Sequence, residues 1–478
     1  MNAGLTILEI AVVALGLGVM LLDLWTPAEK KRELGLYAAV AVLGILGASF
    51  TLDLGGEAFG GMYVMDGMAM FFKRLALFAM VVVLVMSVEV GDQFKSGIAE
   101  YYSLTLFAGA GMMFAASANN VAMQFVSLEL ITVTFYILVS AQRSHSRALE
   151  AGVKYLIIGA LSSAVMVYGI ALVFGIAGDL TFAGLAEKSS EHSGSLLFLL
   201  GVFFILLGLG FKVASVPFQL WAPDVYQGGI TPTSAFLAVG SKAAGFVLML
   251  RLLFVALPDI AADWATLLAA ISGITILYGN LGAIPQRNLK RLMGYSSIAH
   301  GGYIMMGVAA VSAAGQSATM VYLGGYTFTA LAAFAVIALV SRSVEGEDIS
   351  SLAGLHRRSP ALALAMTLAL ISLTGLPPMA GFFGKFMLLK SVIHAAEGNT
   401  AYYWLIAAAV FGVVVSVYYY FNVIRTIFFV EGNDDEAPIE ISRPLSLSLF
   451  ACIAGMLVLG LYPDAVVNFA VEAVEALS

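Results

Sequence analysis

The sequence predicts an all-α polytopic membrane protein of about fourteen transmembrane helices, with two inverted five-helix repeats that each contain a proline-broken helix. Hydrophobic residues make up 61% of its 478 residues and charged residues only 11%, whereas a soluble domain carries about 25% charged residues. Apolar stretches of about 20 residues, enough to cross a 30 Å hydrocarbon core, recur along the chain. Two of these stretches combine prolines with a lysine.

The predicted spans follow one another with short loops between them. The first, Leu5–Trp25, is expected to stay in the protein as a helix, because no small-residue cleavage site follows it. We interpret its Glu9 and Asp23 as contact or interface residues. The predicted windows are 5–25, 34–53, 73–90, 101–118, 120–140, 150–175, 195–225, 230–257, 264–286, 295–312, 318–342, 359–394, 402–430 and 445–470.

These spans group into four regions. Residues 1–100 hold three N-terminal helices, and 445–478 hold a C-terminal transmembrane helix. Residues 101–257 and 264–430 each hold five helices, and the broken helix is the fourth in both sets. Because five is odd, the second set enters the membrane from the opposite face, which predicts an inverted repeat.

The distribution of Lys and Arg predicts the orientation, since cytoplasmic loops are enriched in both. Alternate loops hold fourteen of the 23 basic residues, which places both termini on the periplasmic side. Lys73 is assigned to the opposite side, in or beside a loop, and Arg251 and Lys390 are expected to snorkel from helix ends. The fourteen residues are Lys30, Lys31, Arg32, Lys95, Arg143, Arg147, Arg287, Lys290, Arg291, Arg342, Arg357, Arg358, Arg425 and Arg443.

The stretch FKVASVPFQLWAPDVY, residues 211–226, places Lys212 before Pro217. Proline removes a backbone donor and clashes with the preceding turn, so a break is predicted near Val216. Lys212 lies about 7–8 Å before that break along the helix axis. A lysine beside an interrupted intramembrane helix is typical of ion and proton transport sites.

A second stretch of this kind, LTGLPPMAGFFGKFML, covers residues 373–388. It contains Pro377, Pro378 and Lys385. Freed carbonyls at membrane depth are tolerated only against protein or a wet cavity, so a polar path is predicted at both breaks.

Three more charged residues lie within predicted spans: Glu129, Lys154 and Lys242. A charge at mid-membrane costs about 2.5–3.5 kcal/mol on insertion scales. Burial lowers a lysine pKa and a neighbouring carboxylate raises it, so such lysines can exchange protons near neutral pH. We therefore hypothesise that Glu129 and Lys154 form an ion pair whose opening changes the proton affinity of Lys212 and then of Lys242.

Structural roles remain as alternatives. The lysines could form fixed ion pairs, and Lys154 could merely snorkel. His300, within a predicted span, could be a satisfied core histidine or a proton relay. Asp224 could cap a helix or gate a path, and Tyr418–Tyr420 is assigned to packing or an aromatic belt.

Other classes of function lack their motifs. No basic patch with interleaved aromatics indicates nucleic acid, and the single Cys452 excludes a disulfide or an iron–sulfur site within the chain. There is no complete GxGxxG, and Gly384-Lys385-Phe386 lacks the hydroxyl of a phosphate-binding loop. No metal or cofactor is expected on this chain.

Three long motifs carry a family resemblance: FKVASVPFQLWAPDVYQGGITPTSAFLAVGSKAAGF, NLKRLMGYSSIAHGGYIMMG and LTGLPPMAGFFGKF. They resemble signatures of the antiporter-like subunits of respiratory complex I, and the resemblance covers roughly residues 100–430. Relatives also occur in multisubunit sodium/proton antiporters. Length and span count resemble the N type, because the extra C-terminal helices of the L type are missing and Lys385 replaces the glutamate of the M type.

The resemblance implies residue roles. Glu129 and Lys154 match the family's charged pair on the fifth and sixth helices. Lys212 and Lys242 match the lysines of the seventh and eighth helices. Lys385 matches that of the broken twelfth, and His300 a polar position on the tenth.

The resemblance also implies one proton channel in the chain, driven by quinone reduction elsewhere in a bacterial inner-membrane complex. NADH, FMN, iron–sulfur clusters and quinone would bind to other subunits. The implied partners are the M-type and L-type antiporter-like subunits, small membrane subunits and the lipid bilayer. Two alternatives stay open: a subunit of a multisubunit sodium/proton antiporter, and a purely structural membrane-arm subunit.

Overall fold

Helices form most of the chain in the computed structural model, which describes residues 3–52, 54–94, 96–344, 346–432 and 438–477. Lys95, counted above among the loop residues, lies outside these ranges. The α-helices of the first half of the chain are α1 (Ile7–Asp23), α2 (Leu34–Ala48), α3 (Gly67–Glu89), α4 (Ile98–Ala116), α5 (Val121–Val139), α6 (Ser146–Ala177), α7 (Phe182–Ser189), α8 (Leu196–Val213), α9 (Trp221–Gly228), α10 (Thr231–Phe236) and α11 (Lys242–Arg251).

The α-helices of the second half are α12 (Ala261–Ala283), α13 (Leu289–Ala309), α14 (Ala313–Val344), α15 (Leu355–Arg358), α16 (Pro360–Thr374), α17 (Ala380–Gly398), α18 (Tyr402–Phe429), α19 (Arg443–Leu461) and α20 (Asp464–Glu475). Short 3-10 helices lie at Ala3–Thr6, Ala28–Glu33, Gly91–Gln93 and Ile349–Leu352. Two π-helical turns, Leu237–Ser241 and Leu252–Ala256, flank α11.

Ten helices of the described ranges are long and apolar enough to cross a membrane. The chain is therefore a mostly helical, multi-pass membrane protein. The other four predicted windows, 34–53, 101–118, 295–312 and 359–394, are also largely helical, in α2, α4, α13 and the α16–α17 pair. These helices are too short or too polar to count as spans on their own, so the number fourteen stays a prediction.

Two details differ from the predicted all-helical chain. Strands β1 (Gly56–Ala58) and β2 (Tyr63–Met65) form a small antiparallel pair between α2 and α3. The C-terminal region, predicted as one span, is two helices, because Pro463 separates α19 from α20.

Side-chain caps fix the start of several helices. Asn120 accepts from the backbone N–H of Ala122 at 2.7 Å and begins α5, and Asn288 accepts from Arg291 at 3.0 Å and begins α13. Helix α14 lies at the centre of the bundle, with most of its residues buried against α3, α13, α16, α17 and α19. The caps and this packing hold the lysine-bearing helices in place.

Candidate functional site

The first broken helix consists of α8 and α9. Helix α8 ends at Val213, where Ala214 adopts a left-handed conformation with φ +58°, and α9 starts at Trp221. The freed carbonyls find local partners: the Ser215 N–H donates to Gly210 O at 2.9 Å, and the Trp221 indole donates to Phe211 O at 3.1 Å. The side chain of Lys212 is therefore not needed to cap the break.

The second broken helix consists of α16 and α17. Helix α16 ends at Thr374, and Gly375 follows with φ +87°, a conformation that glycine adopts without strain. Here the lysine itself caps the break, because Lys385 Nζ donates to Leu373 O at 2.8 Å and to Thr374 O at 3.0 Å. Its ammonium also lies 4.7 Å from the ring centroid of Tyr303.

Lys154 lies at one end of the bundle, in a polar cleft of about 590 Å³. Its side chain is 43% exposed, and it pairs with Glu150 at 2.7 Å and with Asp224 at 2.8 Å. Asp224 also pairs with Arg291. Asp224 therefore connects α6, α9 and α13 at the floor of this cleft, rather than capping a helix.

The hypothesised ion pair between Glu129 and Lys154 is wrong for this conformation. Glu129 accepts instead from the Ser163 hydroxyl at 2.6 Å. The reason is position along α6: Lys154 and Ser163 are nine residues apart, about 13 Å of helix rise. Glu129 on α5 faces α6 at the level of Ser163, not at the level of Lys154.

Lys212 is buried, and its side chain reaches α5 close to Glu129. Its Nζ donates to the Thr132 hydroxyl at 2.9 Å, and Thr132 follows Glu129 by about one helical turn. The stem of Lys212 packs against Gly245 of α11, where an added Cβ would come within 3.3 Å of it. Gly245 lies one turn after Lys242, so these two lysine-bearing helices touch at this level.

Lys242 is buried at the centre of the bundle. Its ammonium donates to the hydroxyl and the backbone carbonyl of Ser297 on α13. The same hydroxyl meets Tyr226 Oη at 3.0 Å and accepts from Tyr326 Oη at 3.2 Å. The Lys242 ammonium is therefore bonded to the Ser297 hydroxyl, which in turn contacts the hydroxyls of Tyr226 and Tyr326.

His300 continues this polar region along α13. Its Nδ1 lies 2.5 Å from Tyr322 Oη, and its Nε2 lies 3.2 Å from Tyr420 Oη. Tyr420 Oη also lies 2.5 Å from Ser296 Oγ. Because both ring nitrogens have hydroxyl partners, the histidine can accept a proton on one side and donate one on the other.

Two basic residues lie elsewhere than predicted. Lys73, placed beside a loop by the sequence, is fully buried in α3 and pairs with Glu9 at 2.7 Å. Arg251, expected to snorkel, is 1% exposed and pairs with Asp66 at 2.7 Å. Carboxylates from neighbouring elements compensate both charges inside the protein, so neither side chain has to reach the surface.

Sequence reasoning missed the hydroxyl groups between the charged residues. Tyr420 was assigned to packing, and Thr132, Ser297 and Tyr322 received no role. Hydroxyl residues are common in membrane helices, where Ser and Thr usually bond to the carbonyl one turn earlier. The only available signal was the Tyr-Ser-Ser-x-x-His spacing at Tyr295–His300.

No group of three or more His, Cys, Asp or Glu side chains is arranged to hold a metal within the described residues. The site consists instead of separate charged groups, each hydrogen-bonded to hydroxyls or backbone carbonyls. Such an arrangement can pass protons without a cofactor.

Comparison with known proteins assigns the chain to one family. Residues 118–416 match the model described as NADH:quinone oxidoreductase/Mrp antiporter, TM. The chain belongs to this NADH:quinone oxidoreductase/Mrp antiporter family. NADH-quinone oxidoreductase subunit N of Desulforamulus reducens is 38% identical over 99% of this chain and 98% of its own, and subunit N of Moorella thermoacetica is 38% identical over 98% of both. The predicted resemblance to antiporter-like complex I subunits is thereby confirmed.

Solved structures agree with this family assignment. A chain of respiratory complex I from Thermus thermophilus has a TM-score of 0.79 at 30% identity and covers 97% of this chain and 99% of its own. A chain of the Mrp complex from Dietzia sp. has a TM-score of 0.88, covering 100% of this chain and 98% of its own, but its identity of 20% shows a shared fold alone.

Proposed function

We propose that this chain is a proton-translocating membrane-arm subunit of an NADH:quinone oxidoreductase. Protons enter at the cleft of Lys154 and pass Lys212 and Lys242. They cross at His300 and leave through Lys385. Between Lys154 and Lys212 the protons pass Glu129, which lies about one helical turn from Thr132, the partner of Lys212.

One observation carries this proposal: Lys212, Lys242, His300 and Lys385 are all at least 95% buried, and among the described residues none of them has a carboxylate as its hydrogen-bonding partner. A lysine in a structural ion pair, such as Lys73 with Glu9, is compensated by a fixed carboxylate. Lysines held by hydroxyls and carbonyls keep the freedom to lose their proton.

The proposal also covers the cofactors, the membrane and the internal repeats. We propose that the redox cofactors FMN, iron–sulfur clusters and quinone reside on partner subunits, among them M-type and L-type antiporter-like subunits, and that this chain performs no redox chemistry. The complex lies in the bacterial inner membrane with both termini of this chain on the periplasmic side. Regions 101–257 and 264–430 are its inverted repeats, each holding one broken helix.

Proton pumping by the assembled complex in liposomes tests the proposal. Replacing Lys242 by Ala is expected to lower the number of protons moved per NADH oxidised, while co-purification with FMN and iron–sulfur subunits is retained. Unchanged pumping by an assembled Lys242→Ala complex would leave only a structural role. Purification in a sodium/proton antiporter without redox subunits would favour the transporter alternative.

A further inference from the structure

The structure leaves a gap in the proposed path between Lys154 and Glu129. Lys154 on α6 and Glu129 on α5 meet α6 at different levels, and their own partners, Asp224 and Ser163, do not join them. A proton taken up at the cleft needs intermediate groups to reach Glu129.

Two buried tyrosine hydroxyls lie in that gap. Tyr155 is fully buried on α6, and the hydroxyl of Tyr136 on α5 is also shielded from solvent. Neither hydroxyl has a hydrogen-bond partner among the described residues. A buried hydroxyl without a partner is unfavourable, because it loses its hydrogen bonds to water, so such groups in native proteins usually bind water.

The spacing along α6 places these groups in order. Tyr136 Oη lies against Gly159, where an added Cβ would come within 2.1 Å of it. Ser163, which holds Glu129, lies one turn beyond Gly159, and Tyr155 lies one turn before it. Each of these four-residue steps is about 6 Å of rise, close to the span of a single water hydrogen-bonded at both ends.

Aromatic packing fixes the two rings. Tyr136 and Tyr155 meet edge to face with centroids 5.1 Å apart, and Tyr155 lies 4.7 Å from the Trp221 ring of α9. Lys154 is the neighbour of Tyr155 in sequence, and Asp224 lies on α9 with Trp221. Tyr155 therefore packs beside the helices that form the cleft without lining it, and Tyr136 lies one turn of α6 from Ser163, the partner of Glu129.

We propose that Tyr155 and Tyr136 bind water molecules and form a relay that carries protons from the Lys154 cleft to Glu129. Each hydroxyl accepts a proton from the water on the cleft side and releases its own proton to the water on the Glu129 side. No covalent bond other than O–H changes, and each hydroxyl ends the cycle as it began. This inference deepens the proposed function and rests on it.

The test uses Tyr136→Phe and Tyr155→Phe in the assembled complex in liposomes, since phenylalanine removes only the oxygen. We expect each variant to assemble normally and to pump protons at least about tenfold more slowly, and we expect the same of Glu129→Gln. Tyr402→Phe is the matched control, because that hydroxyl donates to Ala309 O at 2.7 Å outside the proposed path; its pumping should stay unchanged.

The possible results separate the two proposals. Full pumping by both Phe variants together with a slow Glu129→Gln variant would overturn the relay and leave the proposed function intact. Full pumping by Glu129→Gln would overturn the role of Glu129 and the relay with it. A high-resolution map of the unmodified complex checks the same point without mutation: water density on both hydroxyls supports the relay, and dry hydroxyls overturn it.

Discussion

The two broken helices use their lysines differently. At the first break, Ser215 and Trp221 satisfy the freed carbonyls, and Lys212 reaches across to Thr132. At the second break, Lys385 follows the prolines and donates to the freed carbonyls itself. Similar sequence motifs, a lysine with nearby prolines, therefore produce one lysine that faces a neighbouring helix and one that caps its own.

Because of this difference, Lys212 is expected to serve proton transport alone, whereas Lys385 is expected to serve both transport and stability. Lys212 contributes a mobile proton-binding group with a single hydroxyl partner. Lys385 contributes the same group, but the backbone of the break depends on it as well. Substitutions at the two positions should consequently have different effects on stability even where both abolish transport.

Lys73 provides the reference for a purely structural buried lysine, and its removal should have the largest effect on stability. Lys73→Met leaves Glu9 buried without its partner at 2.7 Å, and breaking a buried ion pair costs about 3–5 kcal/mol. Thermal unfolding of the purified complex measures the loss. A companion Glu9→Gln, Lys73→Met double variant should recover part of it, and no recovery would argue against the pair.

The next largest loss of stability is expected for Lys385→Met. Two backbone carbonyls lose their donor, which we expect to cost about 2–4 kcal/mol in addition to the loss of pumping. Lys385→Arg is the control, since it keeps a donor at the break and should restore most of the stability. Equal unfolding temperatures for the Met variant and the wild type would show that the capping hydrogen bonds are not needed.

Lys212→Met should separate the two effects. It replaces a buried ammonium with an apolar chain of similar length, so the free energy of unfolding should change by less than about 1 kcal/mol. Proton pumping should nevertheless fall at least about tenfold. The unfolding temperature and the pumping rate are measured on the same variant. A Lys212→Met variant with a lowered unfolding temperature and normal pumping would show that Lys212 serves stability and not transport.

The left-handed residues of the two breaks should change stability by at most about 2 kcal/mol. Gly375→Ala places a Cβ at φ +87° and within 2.9 Å of the Lys385 stem, for a cost of about 1–2 kcal/mol. Ala214→Gly relieves a Cβ already held at φ +58° and should be neutral or stabilising by up to about 1 kcal/mol. The unfolding temperature should therefore fall for Gly375→Ala and stay the same or rise for Ala214→Gly.

The sequence predicts the features that depend on local chemistry. Helix interruption near Pro217 and Pro378 follows from the missing N–H of proline, and the burial of Lys212, Lys242 and Lys385 follows from their place in apolar windows. Which partner each lysine meets depends on tertiary contacts between helices distant in sequence.

Those contacts could not be derived from the sequence, as three pairs of residues illustrate. Glu9 and Lys73 are 64 positions apart and come from different helices, while Glu129 turned out to face Ser163 instead of Lys154. In the sequence, Tyr155 and Tyr136 are ordinary aromatic residues, because only the folded chain shows that their hydroxyls have no hydrogen-bond partner among the described residues.

The most direct test of proton transfer through these buried lysines is the proton-to-electron ratio of the assembled complex carrying Lys242→Met. Within the described part of the chain Lys242 donates only to Ser297, so its replacement removes the central proton-binding group and leaves the breaks untouched. We predict a lower ratio with normal assembly and cofactor content. A ratio equal to that of the unmodified complex would contradict transfer through Lys242.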